Sequence, residues 1–379
     1  MWKTATILIG IVLILVTLGI VALASSSPAR AQANAFDGRN FTVLQIVWLV
    51  AALIAGFIAS RLDYHHYRWL CIPVALFSAA LLVLVIVPGV GLCINGSRRW
   101  LPLGPVRIQP SEFAKFALIV TLAAWMKFAQ RKADTFVMGL LIPGAYLGFT
   151  AGLVFIEPDF GTTALLSFVG FAILFLGGTR LPYLVVSAAL GLAGFAVAVA
   201  MDPVRMRRIL SFLHPERYAE DEAFQLINAL YAFIAGGLRG AGLGQGLQKR
   251  FYLPEAHTDF IFAIIGEEMG FIFTAGIVLL YLGFLFCGMF IAWRAPDRFG
   301  RLLAFGITLM IATQAAINIG VVTGCLPTKG LALPFISYGG SSLLVCSFMV
   351  GVLVNVALHA GGAIEDDDTR IIKDRTVRL

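Results

Sequence analysis

Charge is what this sequence has least of. Asp, Glu, Lys and Arg make up 13% of its 379 residues, against the roughly one quarter found in soluble domains. With 59% hydrophobic residues and a mean hydropathy of +0.90, the chain cannot keep its surface in water. That excludes a soluble globular domain and makes it an integral membrane protein. Cysteine is scarce too. Cys71, Cys93, Cys287, Cys325 and Cys346 are scattered, with no CxxC pair and no metal-ligand spacing, so a zinc module is excluded. They are expected as small apolar packing residues, and a bridge between Cys93 and Cys325 is disfavoured. There is no GxxxxGK[ST], no dinucleotide fingerprint and no GxSxG, which argues against a nucleotide site and a hydrolase triad. No fixed-period repeat is evident, and no nucleic-acid partner is expected.

Long apolar runs are what is there. They occur at about 5–24, 41–60, 69–87, 112–128, 135–156, 161–178, 183–201, 271–293, 302–322 and 340–359. This predicts an all-α integral membrane protein with about ten transmembrane helices, each near the ~20 residues a bilayer core requires. The first run, followed by SSSPARAQA, is too long for a signal-peptide core and is read as a retained helix. Pro73 and Pro143 fall inside expected spans, where neighbouring helices can re-satisfy the freed carbonyls.

Residues 1–360 form one polytopic domain with large loops at 88–111 and at 202–259, the latter between helices seven and eight. Residues 361–379 form a polar tail. An even number of spans puts both termini on one side. Lys/Arg counts are similar on the two sides and do not decide orientation. Their distribution is more telling. Lys3, Arg61, Arg68, Lys127, Arg131, Lys132, Arg180, Arg294, Arg298 and Arg301 flank helix ends in loop after loop, as topogenic charges do. The remaining cations crowd into the two large loops, as a surface for an anionic head group would. The termini and tail are therefore expected in the cytoplasm and the large loops outside.

Four stretches could carry chemistry. In NGSRRWLPLGPVRIQPSEFAK (95–115), Arg98, Arg99 and Arg107 offer forked donors to phosphate, and Trp100 offers a flat face at interface depth. An interfacial anchor of Trp and snorkelling Arg explains that spacing about as well. Glu112 and Lys115, at i and i+3, share a helical face just inside the membrane. EPDFGTT (157–163) is a tight turn whose Asp159 is a weaker candidate. GGLRGAGLGQG (236–246) reads as a flexible loop bordering a membrane-surface site.

HTDFIFAIIGEE (257–268) places three acids around an apolar run. If residues 258–268 are helical, Asp259 and Glu267 lie about 80° apart and Glu268 faces away, so the acids form no single cluster. Asp259 is placed to act as a general base on a hydroxyl, or simply to cap a helix with Thr258. His257 lacks the partners of a metal site. Glu267 and Glu268 are expected to pack at the start of span eight. In LPTKGLALPFISYGGSS (326–342), proline and glycine keep the backbone non-helical at membrane depth, which is tolerated only when it is buried in protein or lines a cavity. Lys329 and Ser337, with Ser341 and Ser342, are candidates to line that cavity.

Together and in this order, NGSRRW…QPSEFAK, EPDFGTT, PEAHTDFIFAIIGEE and LPTKGLALPFISYGGSS resemble the signatures of the SEDS family (shape, elongation, division and sporulation; the RodA, FtsW and SpoVE proteins). The resemblance runs from the first span to the last. PEAHTDFIFA and LPTKGL are more similar to its division branch, the FtsW type, than to its elongation branch. It implies a peptidoglycan glycosyltransferase that polymerises lipid II on the outer face of the cytoplasmic membrane, at the septum. The family's essential aspartate falls on Asp259, and its sensitive outer positions on Trp100, Arg107, Glu112 and Lys115. Arg98, Arg99, Asp159, His257, Thr258, Lys329 and Ser337 complete the candidate substrate site. A class B penicillin-binding protein and other divisome proteins are the implied partners. A divalent cation, Mg or Mn, has room to share the pyrophosphate charge, although no dedicated metal site is apparent. One departure is QLINALYAFIAGGLRG, where relatives have a Gln-Ser pair and a Gly-Ser-Gly-Gly run. An elongation-type polymerase, a lipid II flippase and a division scaffold are the rival readings.

Overall fold

The computed structural model describes residues 1–31, 38–94, 97–104, 106–218, 223–246, 258–328 and 330–360. His257, Lys329 and the 361–379 tail lie outside the described residues. In chain order the helices are α1 Trp2–Ala31, α2 Gly38–Arg61, a short α3 His65–Trp69 and α4 Cys71–Ile86. Three strands follow, β1 Leu92–Ile94, β2 Ser97–Leu103 and β3 Val106–Ile108, then α5 Pro110–Phe128. A π turn, Phe136–Leu141, leads into α6 Ile142–Ile156; α7 Phe160–Leu176, α8 Leu181–Ala200, α9 Pro203–Leu213 and α10 Phe224–Gly236 come next. The chain ends in α11 Ile261–Arg294, α12 Arg298–Val322 and α13 Gly340–His359.

Among the described residues, seven helical segments are long and apolar enough to cross a membrane: α1, α2, the π turn with α6, α8, α11, α12 and α13. The other expected spans coincide with α4, α5 and α7, of 16, 19 and 17 residues. The protein is a multi-pass helical membrane protein. Its core lies where α12 meets α5, α7 and α11, and where α13 runs along α2. By contrast α8 stands at the edge, with most of its side chains exposed. Pro73 falls in the first turn of α4, whereas Pro143 follows the π turn directly, and the carbonyl four residues before it, that of Gly139, accepts from the Thr179 hydroxyl at 2.8 Å, the rescue expected of a neighbour.

The contacts sort the loops into two ends. At one end the strands meet the α6–α7 turn and the segment before α13. At the other, the α2–α3 connection meets the starts and ends of α12, α13 and α5.

Two elements differ from the sequence reading. The 88–111 loop is not irregular: β1, β2 and β3 form a small antiparallel sheet, with Leu92 opposite Trp100 and Pro102 opposite Arg107. Strands of three residues are too short to show a period of two in sequence.

The second difference is in α11. It begins at Ile261, ten residues before the expected span, and breaks at Gly270, whose φ is 81°. Glu267 and Glu268 therefore end a half-helix rather than start a span. A break leaves amides and carbonyls without helical partners, which is costly in a membrane. The glycine-rich stretch supplies them. The amides of Ala241 and Gly242 donate to the carbonyls of Glu267 (2.9 Å) and Glu268 (3.0 Å). In return Phe271 and Ile272 donate to the carbonyls of Gly237 (2.9 Å) and Leu238 (3.4 Å). A Cβ at Gly240 or Gly270 would overlap the opposing backbone, so this close splice needs glycine. GGLRGAG is thus a structural splice around a broken helix, not a loose loop. Ser25 Oγ on α1 donates to Glu268 Oε2 at 2.5 Å, which ties the first helix into the same joint.

Candidate active site

The segment between α12 and α13 shows how irregular backbone survives inside the bundle. Side chains satisfy it group by group. Asn318 Nδ2 donates to the carbonyl of Leu331 at 2.6 Å, and Gln314 Nε2 to that of Ala332 at 2.8 Å. The Leu333 amide donates to Ser337 Oγ at 2.8 Å, and the Tyr281 hydroxyl donates to the carbonyl of Pro334. Ser337 is therefore a buried scaffold group in this structure, with its oxygen directed at its own loop.

The turn Thr258–Phe260 precedes α11, and the helix caps at Phe260, one residue later than a capping role for Asp259 would require. Asn318 Nδ2 reaches this turn as well, donating to the main-chain carbonyl of Asp259 at 2.8 Å. The Asp259 carboxylate is half-buried and lies directly over Gly330, where a Cβ would overlap Oδ2. A single amide on α12 thus joins the 258–260 turn to the 330–333 segment.

Behind this contact lies a buried polar row. Lys115, fully buried on α5, donates to Glu112 Oε1 at 2.6 Å and to Gln314 Oε1 at 2.8 Å. A buried ion pair holds only if further hydrogen bonds offset its desolvation, and Gln314 provides one. The row runs Glu112, Lys115, Gln314, Ala332, and continues one turn along α12 to Asn318 and Asp259. Glu112 Oε2, Ser111 Oγ and Asn318 Oδ1 are buried and have no hydrogen-bond partner among the described residues.

The strands close the same end. Arg99 Nε donates to the carbonyl of Glu157 at 3.1 Å and its Nη2 to that of Pro158 at 2.5 Å. Asp159 caps α7, accepting from the Thr162 amide at 3.2 Å and the Thr162 hydroxyl at 2.9 Å. Glu157 is buried, and burial with the neighbouring Asp159 carboxylate pushes its pKa up to about 8 against the pull of Arg99. Arg107 is exposed on β3 near Tyr338, where its charge partly offsets the rise that burial causes in the phenol pKa.

Comparison with known proteins places this arrangement. Residues 5–361 match the cell cycle protein family of FtsW, RodA and SpoVE. The chain belongs to that family. It is 41% identical over 351 residues to the probable peptidoglycan glycosyltransferase FtsW of Trichlorobacter lovleyi, covering 93% of this chain and 92% of the relative. It is 42% identical over 355 residues to the stage V sporulation protein E of Bacillus subtilis, covering 93% and 97%. Its fold matches a chain in the structure of a peptidoglycan synthase complex that coordinates polymerization and crosslinking (TM-score 0.77, 32% identity, 93% and 97% covered). It also matches the rod shape determining protein RodA of Thermus thermophilus (TM-score 0.69, 28% identity, 93% and 96% covered).

In this FtsW/RodA/SpoVE protein the residues singled out from sequence fall into three groups. Asp259, Glu112 and Lys115 gather around the α12 face that carries Gln314 and Asn318, and Thr258 is the neighbour of Asp259 in its turn. Trp100, Arg98, Arg99 and Arg107 lie on the sheet at the same end, with Arg99 engaged by the α6–α7 turn. Asp159 and Ser337 are buried in structural bonds. Lys115 is enclosed here, so it reaches a pyrophosphate only through a rearrangement. Gln314 and Asn318 were missed, although carboxamides at i and i+4 in an apolar span are the available signal.

Proposed function

We propose that this chain is a division-type peptidoglycan glycosyltransferase whose general base is Asp259. Relatives with about 40% identity carry that activity in their names, and the fold agrees with a chain of a peptidoglycan synthase complex. The observation that carries the residue assignment is the Asp259 turn, held by Asn318 and lying half-buried over Gly330.

In this reading Asp259 takes the proton from the 4-hydroxyl of the incoming lipid II sugar. The freed oxygen attacks the anomeric carbon of the growing chain, the bond to undecaprenyl pyrophosphate breaks, and that pyrophosphate leaves. Arg107 on β3, with Arg98 and Trp100 on the paired strand β2, is placed to meet the head group and offset the leaving charge. Glu112, Lys115 and Gln314 hold the floor of the site in register. The Asp259 end faces the outside, both termini face the cytoplasm, and the protein works at the septum with a class B penicillin-binding protein and other divisome components. The basic outer loops fit an anionic lipid surface.

The test is polymerisation of labelled lipid II by the purified protein in detergent, with and without the transpeptidase and with and without Mg or Mn. Wild type should make glycan strands, and Asp259→Ala should lose about 100-fold or more while remaining folded. Normal polymerisation by Asp259→Ala would refute the base. Head-group translocation in vesicles without polymer would point to a flippase.

A further inference from the structure

Gln314 and Asn318 sit one turn apart on α12 and present two carboxamides to the same side. Their partners decide which atom points where. Asn318 Nδ2 faces two carbonyl oxygens, those of Asp259 at 2.8 Å and Leu331 at 2.6 Å, so both amide hydrogens are committed. Gln314 gives its Nε2 to Ala332 and its Oε1 to Lys115, each at 2.8 Å. Asn318 is 1% exposed in an apolar helix, where a carboxamide costs desolvation that an aliphatic side chain would avoid. Its two bonds join segments about seventy residues apart in sequence, and one of those segments carries the carboxylate at the mouth of the site.

We propose that Asn318 is a positioning residue of the polymerase. By holding the Asp259 carbonyl beside that of Leu331, it fixes the Asp259 carboxylate over Gly330 and so sets the aim of the base. This rests on the assignment of Asp259 as base and adds what orients it. Gln314 is the internal comparison, because its bonds go to the neighbouring carbonyl and to Lys115.

The experiment uses the full chain in detergent with labelled lipid II, and rates are normalised to folded protein by size-exclusion profile and melting. Asn318→Ala removes both bonds. Asn318→Asp keeps the shape but turns oxygens toward two carbonyls, so a loss there is not a cavity effect. Both should lower kcat by about 10- to 100-fold, since small misplacements of a reacting group carry losses of that order. KM should stay within about threefold. The solvent deuterium isotope effect on kcat should rise, because a misaimed base makes proton transfer more rate-limiting. Gln314→Ala should leave that isotope effect unchanged. Wild-type kcat in Asn318→Asp, a loss confined to KM, or an unchanged isotope effect in the Asn318 variants would overturn the proposal. If Asp259→Ala is inactive while Asn318→Asp behaves as wild type, only the positioning role falls. If Asp259→Ala polymerises normally, the base assignment falls first.

Discussion

Two buried asparagines, at opposite ends of the bundle, do the same job with different results. Asn355 on α13 accepts from the Tyr64 amide and donates to the carbonyl of Ser60, both at 2.9 Å, so oxygen and nitrogen are both used. Asn318 donates twice, yet its Oδ1 finds no partner among the described residues. The surroundings repeat the contrast. Near Asn355, Asp297 caps α12 through the amides of Phe299 and Gly300, accepts from the Tyr64 hydroxyl at 2.5 Å, and has Lys127 Nζ at 3.7 Å. Among the described residues, Ser111 Oγ and Glu112 Oε2 on α5 and both oxygens of Glu157 in the α6–α7 turn are buried without a hydrogen-bond partner, as are Gln45 Oε1, Ser78 Oγ and, at the other end, the Tyr67 hydroxyl. Buried polar groups are normally paired, so the open acceptors of Glu112 and Asn318 along the polar row need a reason. The Asp297 end is built for holding helices together. The Asp259 end keeps acceptor capacity in place beside a half-buried carboxylate, which suits a site that handles hydroxyls.

The comparison breaks most visibly at Lys115. Lys115→Met breaks the buried pair with Glu112, and should cost about 3–5 kcal/mol of stability, read as a lowered melting midpoint. Adding Glu112→Gln should return most of that midpoint without returning polymerisation, because Gln314 stays without its Lys115 bond. At the other end, Asp297→Ala removes a helix cap and the partner of Tyr64, and should cost about 2 kcal/mol with polymerisation per folded molecule unchanged. A drop in that rate would merge the two ends into one functional unit.

The last effect concerns pH. Folded Glu157 keeps its proton up to about pH 8. The unfolded chain releases it near the ordinary carboxylate value of roughly 4.3. Between these limits the folded state binds more protons, so the stability owed to this group is complete at low pH and declines until about pH 8. Glu157→Gln should match wild type in melting at the acidic limit and exceed it at pH 8 and above. Melting curves across that range would show identical slopes if the account were wrong.

Much of this was legible in the chain. The spans stand out because hydropathy over ~20 residues is a strong signal, and α4, α5 and α7 fall where the runs were marked. Asp259, Glu112 and Lys115 stand out because ionisable groups in apolar surroundings are conspicuous. What stayed hidden depends on segments distant in sequence. The start of α11 at Ile261 and its break at Gly270 make sense only with Gly237–Gly242 laid across them. Asp159 reads as a turn residue and a weaker site candidate, and its cap on α7 through Thr162 appears only in the fold. Asn318 reads as one polar residue in an apolar span until the two carbonyls it holds are located.

The central claim is that chemistry resides at the Asp259 end while the Asp297 end is structural. The direct measurement is glycan polymerised from labelled lipid II per folded molecule by Asp259→Asn and Asp297→Asn, side by side. The account predicts a loss of about 100-fold or more for the first and the wild-type rate for the second. Undiminished polymerisation by Asp259→Asn would contradict it.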